Sequence, residues 1–184
     1  MKKNLGLVLA PGAGGGADHS SLVAIEAVVG KFAAVSRVKF GSGKAESQVV
    51  KARGFAEELA RAERLDADRI FVGGRSFGGR VFSMAAADGM PCAGLVLLSY
   101  PLHPPGKSDQ LRTEHFPQIK VPCLFVSGTR DAFGSPEEIK RATKKIKGAV
   151  EHVWIEGGDH GMRGKDVEVA EAVAGWLKTS GSTL

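Results

Sequence analysis

Apolar residues fall in short, almost unbroken runs, and each run stops at a glycine or proline signal. The runs are LGLVLA (5–10), VSRVKF (35–40), RIFVGG (69–74), AGLVLLS (93–99), VPCLFVSG (121–128) and VEHVWIEG (150–157). Continuous apolar runs of this length suit strands covered on both faces, as in a parallel sheet. Segments of helical period lie between them: SSLVAIEAVVGKFAA (20–34), KAESQVVKARGFAEELARAERL (44–65), GGRVFSMAAADG (78–89) and VEVAEAVAGWLKT (167–179). A further one, SPEEIKRATKKIKG (135–148), carries its own boundary signals. Ser135 stands as N-cap, Pro136 at the first helical position, Glu138 where it closes a capping box, and Gly148 as the stop.

Strand–helix alternation predicts an α/β fold: a doubly wound, mainly parallel sheet of about six strands, with helices on both faces and right-handed crossovers. Residues 1–178 read as a single domain and 179–184 as a flexible C-terminal tail. The stretch from Ser99 to Lys120 breaks the pattern, with four prolines and no clear period. A loop of that length in a domain of this size is usually functional or disordered.

Composition narrows the classes. With 184 residues and 43% apolar content the chain can bury a substantial core. The formal charge of +5 is mostly mixed along the sequence; its one dense run, KRATKKIK (140–147), reads as a solvated helix face. There is one tyrosine, and no aromatics alternate with basic residues, so no nucleic-acid partner is expected. Two cysteines, Cys92 and Cys123, are too few for a disulfide framework and fit no zinc spacing; they read as reduced thiols of a cytoplasmic protein. The apolar stretch of MKKNLGLVLAPGA ends at Pro11, too short for a signal sequence, and reads as a first strand. No run approaches membrane-spanning length, and no membrane partner is expected.

In open parallel sheets, ligands bind at the carboxyl ends of the strands. The turns expected there are APGAGGGADHS, GGRSFGG, SYPLHPPGK, SGTRDAFGSP and EGGDHGMRG, each shaped by glycine or proline and holding Ser, Asp or His. In the second, Gly74-Arg75-Ser76-Phe77-Gly78 is a G-x-S-x-G motif where a strand ends and a helix begins. Such a serine sits on a strained turn that glycines on either side make possible, with its hydroxyl exposed.

A serine hydroxyl is a weak nucleophile until a base takes its proton, and the base needs an acidic partner to orient it. Asp131, after the fifth strand, and His160, after the last, supply both in the order Ser…Asp…His. Among other histidines, His152 lies inside a strand run and reads as structural. His115 sits in the long loop with His103, and His19 stands near the first glycine turn. Asp159 neighbours His160 in sequence, but adjacent side chains diverge. The oxyanion of an acyl transfer would be held by the amide of Phe77 and by one from the first glycine turn, Ala13 or Gly14. The loop 99–119 is expected to wall the pocket, with Tyr100 and His103 nearest the serine and His19 as a further substrate contact. Arg75 is expected to pair with an acidic side chain.

Two other patterns lead elsewhere. GAGGGA (12–17) fits a dinucleotide-binding fingerprint after a strand, but leaves Ser76, Asp131 and His160 unexplained. GSGKA (41–45) lacks the upstream glycine and the Ser/Thr of a phosphate-binding loop. The Asp-His pairs at 18–19 and 159–160 have no spacing that fixes a metal site.

Taken together, GGRSFGGR, SYPLHPPGK, LRTEHFPQIKVPCLFVSGTRDAFGSPEE and GGDHG resemble the α/β-hydrolases in compact form. More narrowly they resemble a branch of small bacterial hydrolase-like proteins related to a testis-expressed protein and to a regulatory subunit of a histone acetyltransferase complex. The resemblance runs from Leu5 to about Leu177. It implies a Ser76–Asp131–His160 triad, a sheet that begins at the third strand of the full fold, and no large lid domain. The expected activity is that of a serine hydrolase cleaving a carboxylic ester, or a thioester or amide, of a small-molecule acyl substrate, without cofactor or metal. The alternative is a catalytically silent hydrolase fold serving as a protein-interaction scaffold. The acyl group, the leaving group and the oligomeric state are not encoded in any motif.

Overall fold

Six parallel strands form one sheet in the order β2-β1-β3-β4-β5-β6. They are β1 (Gly6–Ala10), β2 (Ala34–Arg37), β3 (Ile70–Arg75), β4 (Gly94–Leu98), β5 (Cys123–Gly128) and β6 (Val150–Ile155). The computed structural model describes residues 3–182. Among the described residues the α-helices are α1 (Ser20–Val29), α2 (Val49–Glu63), α3 (Phe77–Ala87), α4 (Pro136–Thr143) and α5 (Asp166–Gly181).

The unbroken apolar runs have a simple cause. Successive strand residues point to opposite faces, and both faces are covered. Leu7 and Leu9 of β1 and Val96 and Leu98 of β4 join a core layer with Leu22 and Ile25 of α1 and Val173 of α5. Val8, Leu95 and Leu97 face the other way, into a layer with Ala52 of α2, Phe82 of α3 and Ile139 of α4. Removing one such side chain, as in Leu97→Ala, costs about 2–5 kcal/mol.

Local boundaries move where the sheet takes residues away from a helix. Gly30 caps α1, and Ala34, expected in that helix, instead donates its N–H to Leu5 O at 2.8 Å and opens β2. This edge strand is only four residues long. Beyond it Phe40 turns inward against Phe55, Phe77 and Phe82. The capping box of Ser135 and Glu138 is present, but α4 stops at Thr143 and not at Gly148. There the amides of Lys147 and Gly148 both turn to Ile119 O, and a Cβ on Gly148 would sit 2.0 Å from Val121 O. In the basic run, Lys140 lies over the Trp154 ring and Ile146 is buried. At the C-terminus, α5 continues to Gly181, which packs on Leu5, so the first part of the expected tail is helical. Residues 183–184 of that tail lie outside the described residues.

Both thiols, Cys92 and Cys123, are buried, which pushes each up to about 12. Among the described residues no helix is long and apolar enough to cross a membrane.

The strand order reverses beside β1. The chain leaves β1 for β2 on one side and returns to place β3 on the other. A crevice opens at such a switch point, beyond the carboxyl ends of the two strands. Ala10 pairs with Gly74 at those ends, so the glycine turn after β1 and the serine after β3 emerge next to each other.

Candidate active site

Ser76 links β3 to α3 with φ 48° and ψ −112°, a conformation that costs a non-glycine residue on the order of 1–3 kcal/mol. Neighbouring hydrogen bonds enforce it: Ser76 N–H donates to Leu98 O (2.8 Å), Gly78 N–H to Pro11 O (3.1 Å) and Arg80 N–H to Ser76 O (3.0 Å). The flanking glycines are steric necessities. A Cβ on Gly74 would lie 2.0 Å from Ala10 O, and one on Gly78 would lie 2.6 Å from the carbonyl oxygens of Ala10 and Pro11. Strand β1 and helix α3 could not approach this closely with any side chain there.

Asp131 follows β5 and His160 follows β6, and their two loops are pressed together. Arg130 N–H donates to Gly158 O at 2.9 Å, and a Cβ on Gly128 would lie 2.2 Å from that same oxygen. The contact brings His160 Nδ1 to 2.9 Å from Asp131 Oδ2 and 3.0 Å from Oδ1. On its other side, His160 Nε2 lies 2.9 Å from Ser76 Oγ. A carboxylate only accepts hydrogen bonds, so Nδ1 carries the proton and Nε2 is left to accept from the serine hydroxyl. The Asp131 side chain is 1% exposed, and Phe133 N–H donates to its Oδ1 at 2.8 Å. The Phe133 ring stacks on the imidazole.

Arg75 does not pair with an acidic side chain as expected. Its Nη2 donates to His160 O at 2.7 Å and ties the histidine loop to β3. Burial pulls the guanidinium pKa down, and the charges of Asp131 and Asp159 oppose that shift.

A cleft of about 420 Å³ opens over Ser76 and His160, within the range of small-molecule sites. Gly12, Ala13, Phe77, Arg80, Pro101, Arg112 and Phe133 line it. A smaller hollow of about 100 Å³ shares Gly12, Ala13 and Phe77 and extends past Gly14 to residues 39–43. The amides of Phe77 and Ala13 find no acceptor among the described residues. Gly14, in a left-handed turn with φ 71°, lines only the smaller hollow.

Three expected substrate contacts lie elsewhere. Tyr100 is buried below the cleft and donates its hydroxyl to Arg112 O at 3.1 Å, because its ring packs on Phe116 and Phe125. His103 is buried as well, with Nδ1 2.8 Å from Pro104 O and Nε2 3.5 Å from Glu138 Oε2. His19 caps α1, where Nδ1 accepts from Ser21 N–H at 3.4 Å. Burial lowers its pKa first, then the charge of Arg75. His115 does not line the cleft over Ser76: it is half-buried, and its Nε2 meets Ser83 Oγ at 2.9 Å. His152 meets Thr143 Oγ1 at 3.0 Å and stacks on Trp154.

Sequence reasoning missed Arg80, Arg112 and Phe133. Arg80 had a signal, since it stands four residues after Ser76 on the helix that the motif starts, hence on the same face. Arg112 had none. Among the described residues no group of three or more His, Cys, Asp or Glu is placed to hold a metal ion.

Residues 3–172 match the family described as the alpha/beta hydrolase domain. The chain belongs to the α/β-hydrolases. Solved structures share this α/β-hydrolase fold at low identity. Est1E from Butyrivibrio proteoclasticus superposes with a TM-score of 0.84 at 17% identity, covering 99% of this chain and 90% of that one. A monoacylglycerol lipase from Paleococcus ferrophilus gives 0.78 at 16% identity, with 97% and 96% covered. An alpha-beta serine hydrolase homologue from Coxiella burnetii gives 0.76 at 18% identity, with 96% and 86% covered. These likenesses concern the fold; the chemistry of this α/β-hydrolase has to be argued from its own side chains.

Proposed function

We propose that the protein is a serine hydrolase that cleaves a carboxylic ester through an acyl-enzyme. One observation carries the reading: Ser76 Oγ, His160 Nε2, His160 Nδ1 and the Asp131 carboxylate form a continuous hydrogen-bonded chain at the floor of an open cleft. Ser76 attacks the acyl carbon while Nε2 of His160 takes its proton. The developing oxyanion is held by the N–H groups of Phe77 and Ala13, both on the cleft wall without internal partners. His160 then returns the proton to the leaving alkoxide, and a water deprotonated by the same nitrogen releases the acid. Asp131 fixes the tautomer throughout.

An ester is the least demanding of the acyl substrates such a site could take, ahead of a thioester or amide. Folds shared with proteins named a serine hydrolase homologue and a monoacylglycerol lipase point the same way. The two buried thiols fit a cytoplasmic setting, and the four segments quoted above support placement in the narrower branch.

Intact-mass spectrometry after treatment with a fluorophosphonate tests the reading. The wild type is expected to gain one adduct, Ser76→Ala none, and the wild type alone is expected to turn over 4-nitrophenyl esters. No adduct on folded wild-type protein would instead favour the interaction-scaffold alternative.

A further inference from the structure

Among the described residues, Arg75, Arg80 and Arg112 line the cleft in front of Ser76, and no aspartate or glutamate does. Arg75 is engaged with His160 O, as described. Arg80 gives Nη2 to Glu46 Oε1 at 2.8 Å but keeps a buried Nε without a partner among the described residues. Arg112 engages neighbours through its backbone, and its guanidinium meets no carboxylate or carbonyl among them. Partial burial and the charge of Arg80 both disfavour its protonated form. Two neighbouring cations repel each other, and an anion bound against both would be attracted to each and offset that repulsion.

The pair is also rigidly presented. Arg80 stands one helical turn from Ser76, its amide bonded to Ser76 O. Arg112 lies in the irregular stretch between β4 and a short 3-10 turn at Phe116–Gln118, yet its backbone is clamped at both ends of the residue. Its N–H donates to Leu102 O at 2.8 Å, and its carbonyl accepts from the buried Tyr100 hydroxyl. The Tyr100 hydroxyl in turn lies 3.5 Å from His115 Nε2, which is held on Ser83 of α3. A loop residue fixed through a buried aromatic to the helix that carries Ser76 is a built feature of the cleft.

We infer that Arg80 and Arg112 form a subsite for a carboxylate on the acyl substrate, about one helical turn from the scissile carbonyl. The inference rests on the serine-hydrolase reading and narrows it to half-esters of short dicarboxylic acids. A guanidinium fork matches a carboxylate in both geometry and charge. A half-ester with its reacting carbonyl at Ser76 would set its free carboxylate against the two arginines, and that charge would discriminate it from a neutral ester of the same length.

Binding and turnover test the subsite separately. On the Ser76→Ala protein, titration calorimetry with monomethyl glutarate and with dimethyl glutarate should show the monoanion binding about tenfold or more tightly. Added salt should narrow the gap. Introducing Arg112→Gln should remove most of that preference, and Arg112→Lys should restore part of it. Equal affinity for the two ligands, or a preference untouched by both Arg112→Gln and Arg80→Gln, would overturn the subsite. On wild type, kcat/KM for the 4-nitrophenyl half-ester of glutarate should exceed that for methyl 4-nitrophenyl glutarate about tenfold or more. If wild type hydrolyses both esters alike, the subsite falls and the hydrolase reading stands. If Ser76→Ala binds the monoanion preferentially and wild type hydrolyses neither, the hydrolase reading falls and the anion site stands.

Discussion

The ring of Phe133 lies nearly flat on the imidazole of His160, with centroids 3.9 Å apart and planes 26° from parallel. Its backbone N–H holds the carboxylate that orients the same histidine. One residue therefore steadies two members of the hydrogen-bonded chain, the first through its side chain and the second through its main chain. Phe133→Leu separates these effects by removing the ring and keeping the amide. Ring stacking is worth about 0.5–1.5 kcal/mol, so kcat for a neutral ester should fall about two- to tenfold. Steady-state hydrolysis measures this, and an unchanged kcat would show that the ring merely lines the cleft.

Asp131→Asn should be far more severe. The amide can present N–H to Nδ1, which stabilises the tautomer with its proton on Nε2 and removes the acceptor for the Ser76 hydroxyl. A loss in kcat on the order of 10³- to 10⁴-fold is expected, with labelling by fluorophosphonate slowed in parallel. A loss of tenfold or less would mean that Asp131 does not set the tautomer.

Ser76, Asp131 and His160 were legible because each follows a strand whose end is marked by glycines, and in a parallel sheet all such ends lie on one edge. The apolar runs identified the strands for the same reason that they are buried on both faces. Ala13, Phe77 and the loop 99–119 were legible as cleft walls, but the side chains that the loop presents there were not. Tyr100 follows β4 closely and so looked like a pocket residue, but its ring is drawn between Phe116 and Phe125 and turns its hydroxyl to Arg112 O and His115 Nε2. Nothing in the spacing of residues 99–119 encodes that fold-back, since it depends on contacts between residues distant in sequence. The end of α4 failed for a similar reason: Gly148 marks a close approach to Val121 and not the stop of the helix.

Glycine at position 74 is required by packing and glycine at position 54 is not, so the two should respond oppositely to alanine. Gly74 has φ 150° and no room for a Cβ, whereas Gly54 lies exposed in α2 with nothing within 4 Å. Gly74→Ala should lose several kcal/mol and lower Tm on the order of 10 °C. Gly54→Ala should gain about 0.5–1 kcal/mol, raising Tm by about 1–4 °C. Calorimetric melts of the two variants check both signs.

Acid should weaken the fold partly through His115. Burial and the charge of Arg80 lower its pKa from 6.5 to about 4, against smaller opposing effects of Glu114 and Glu46. Between those values the unfolded chain binds a proton that the folded one excludes, so stability is full above the unfolded pKa and declines as pH falls toward the folded one. The loss is at most about 3 kcal/mol. His115→Gln keeps a polar group opposite Ser83 but cannot titrate. Denaturant midpoints taken from pH 7 to pH 4 should therefore fall less steeply in the variant than in wild type, and parallel curves would assign the acid sensitivity to other groups.

Tyr100 gives the last test, because it does not line the cleft yet holds the backbone of a residue that does. Tyr100→Phe keeps the ring between Phe116 and Phe125 and removes the donor to Arg112 O together with the longer contact to His115 Nε2. A buried carbonyl left without its partner costs about 1–3 kcal/mol, which should lower Tm modestly, and the Arg112 backbone should gain freedom. A purely structural loss would affect charged and neutral esters alike. If Tyr100 positions Arg112, the preference for a half-ester over its methyl ester should fall about three- to tenfold, with the change carried mainly by KM for the half-ester. An unaltered preference in a variant with lowered Tm would show that Leu102 alone fixes the loop.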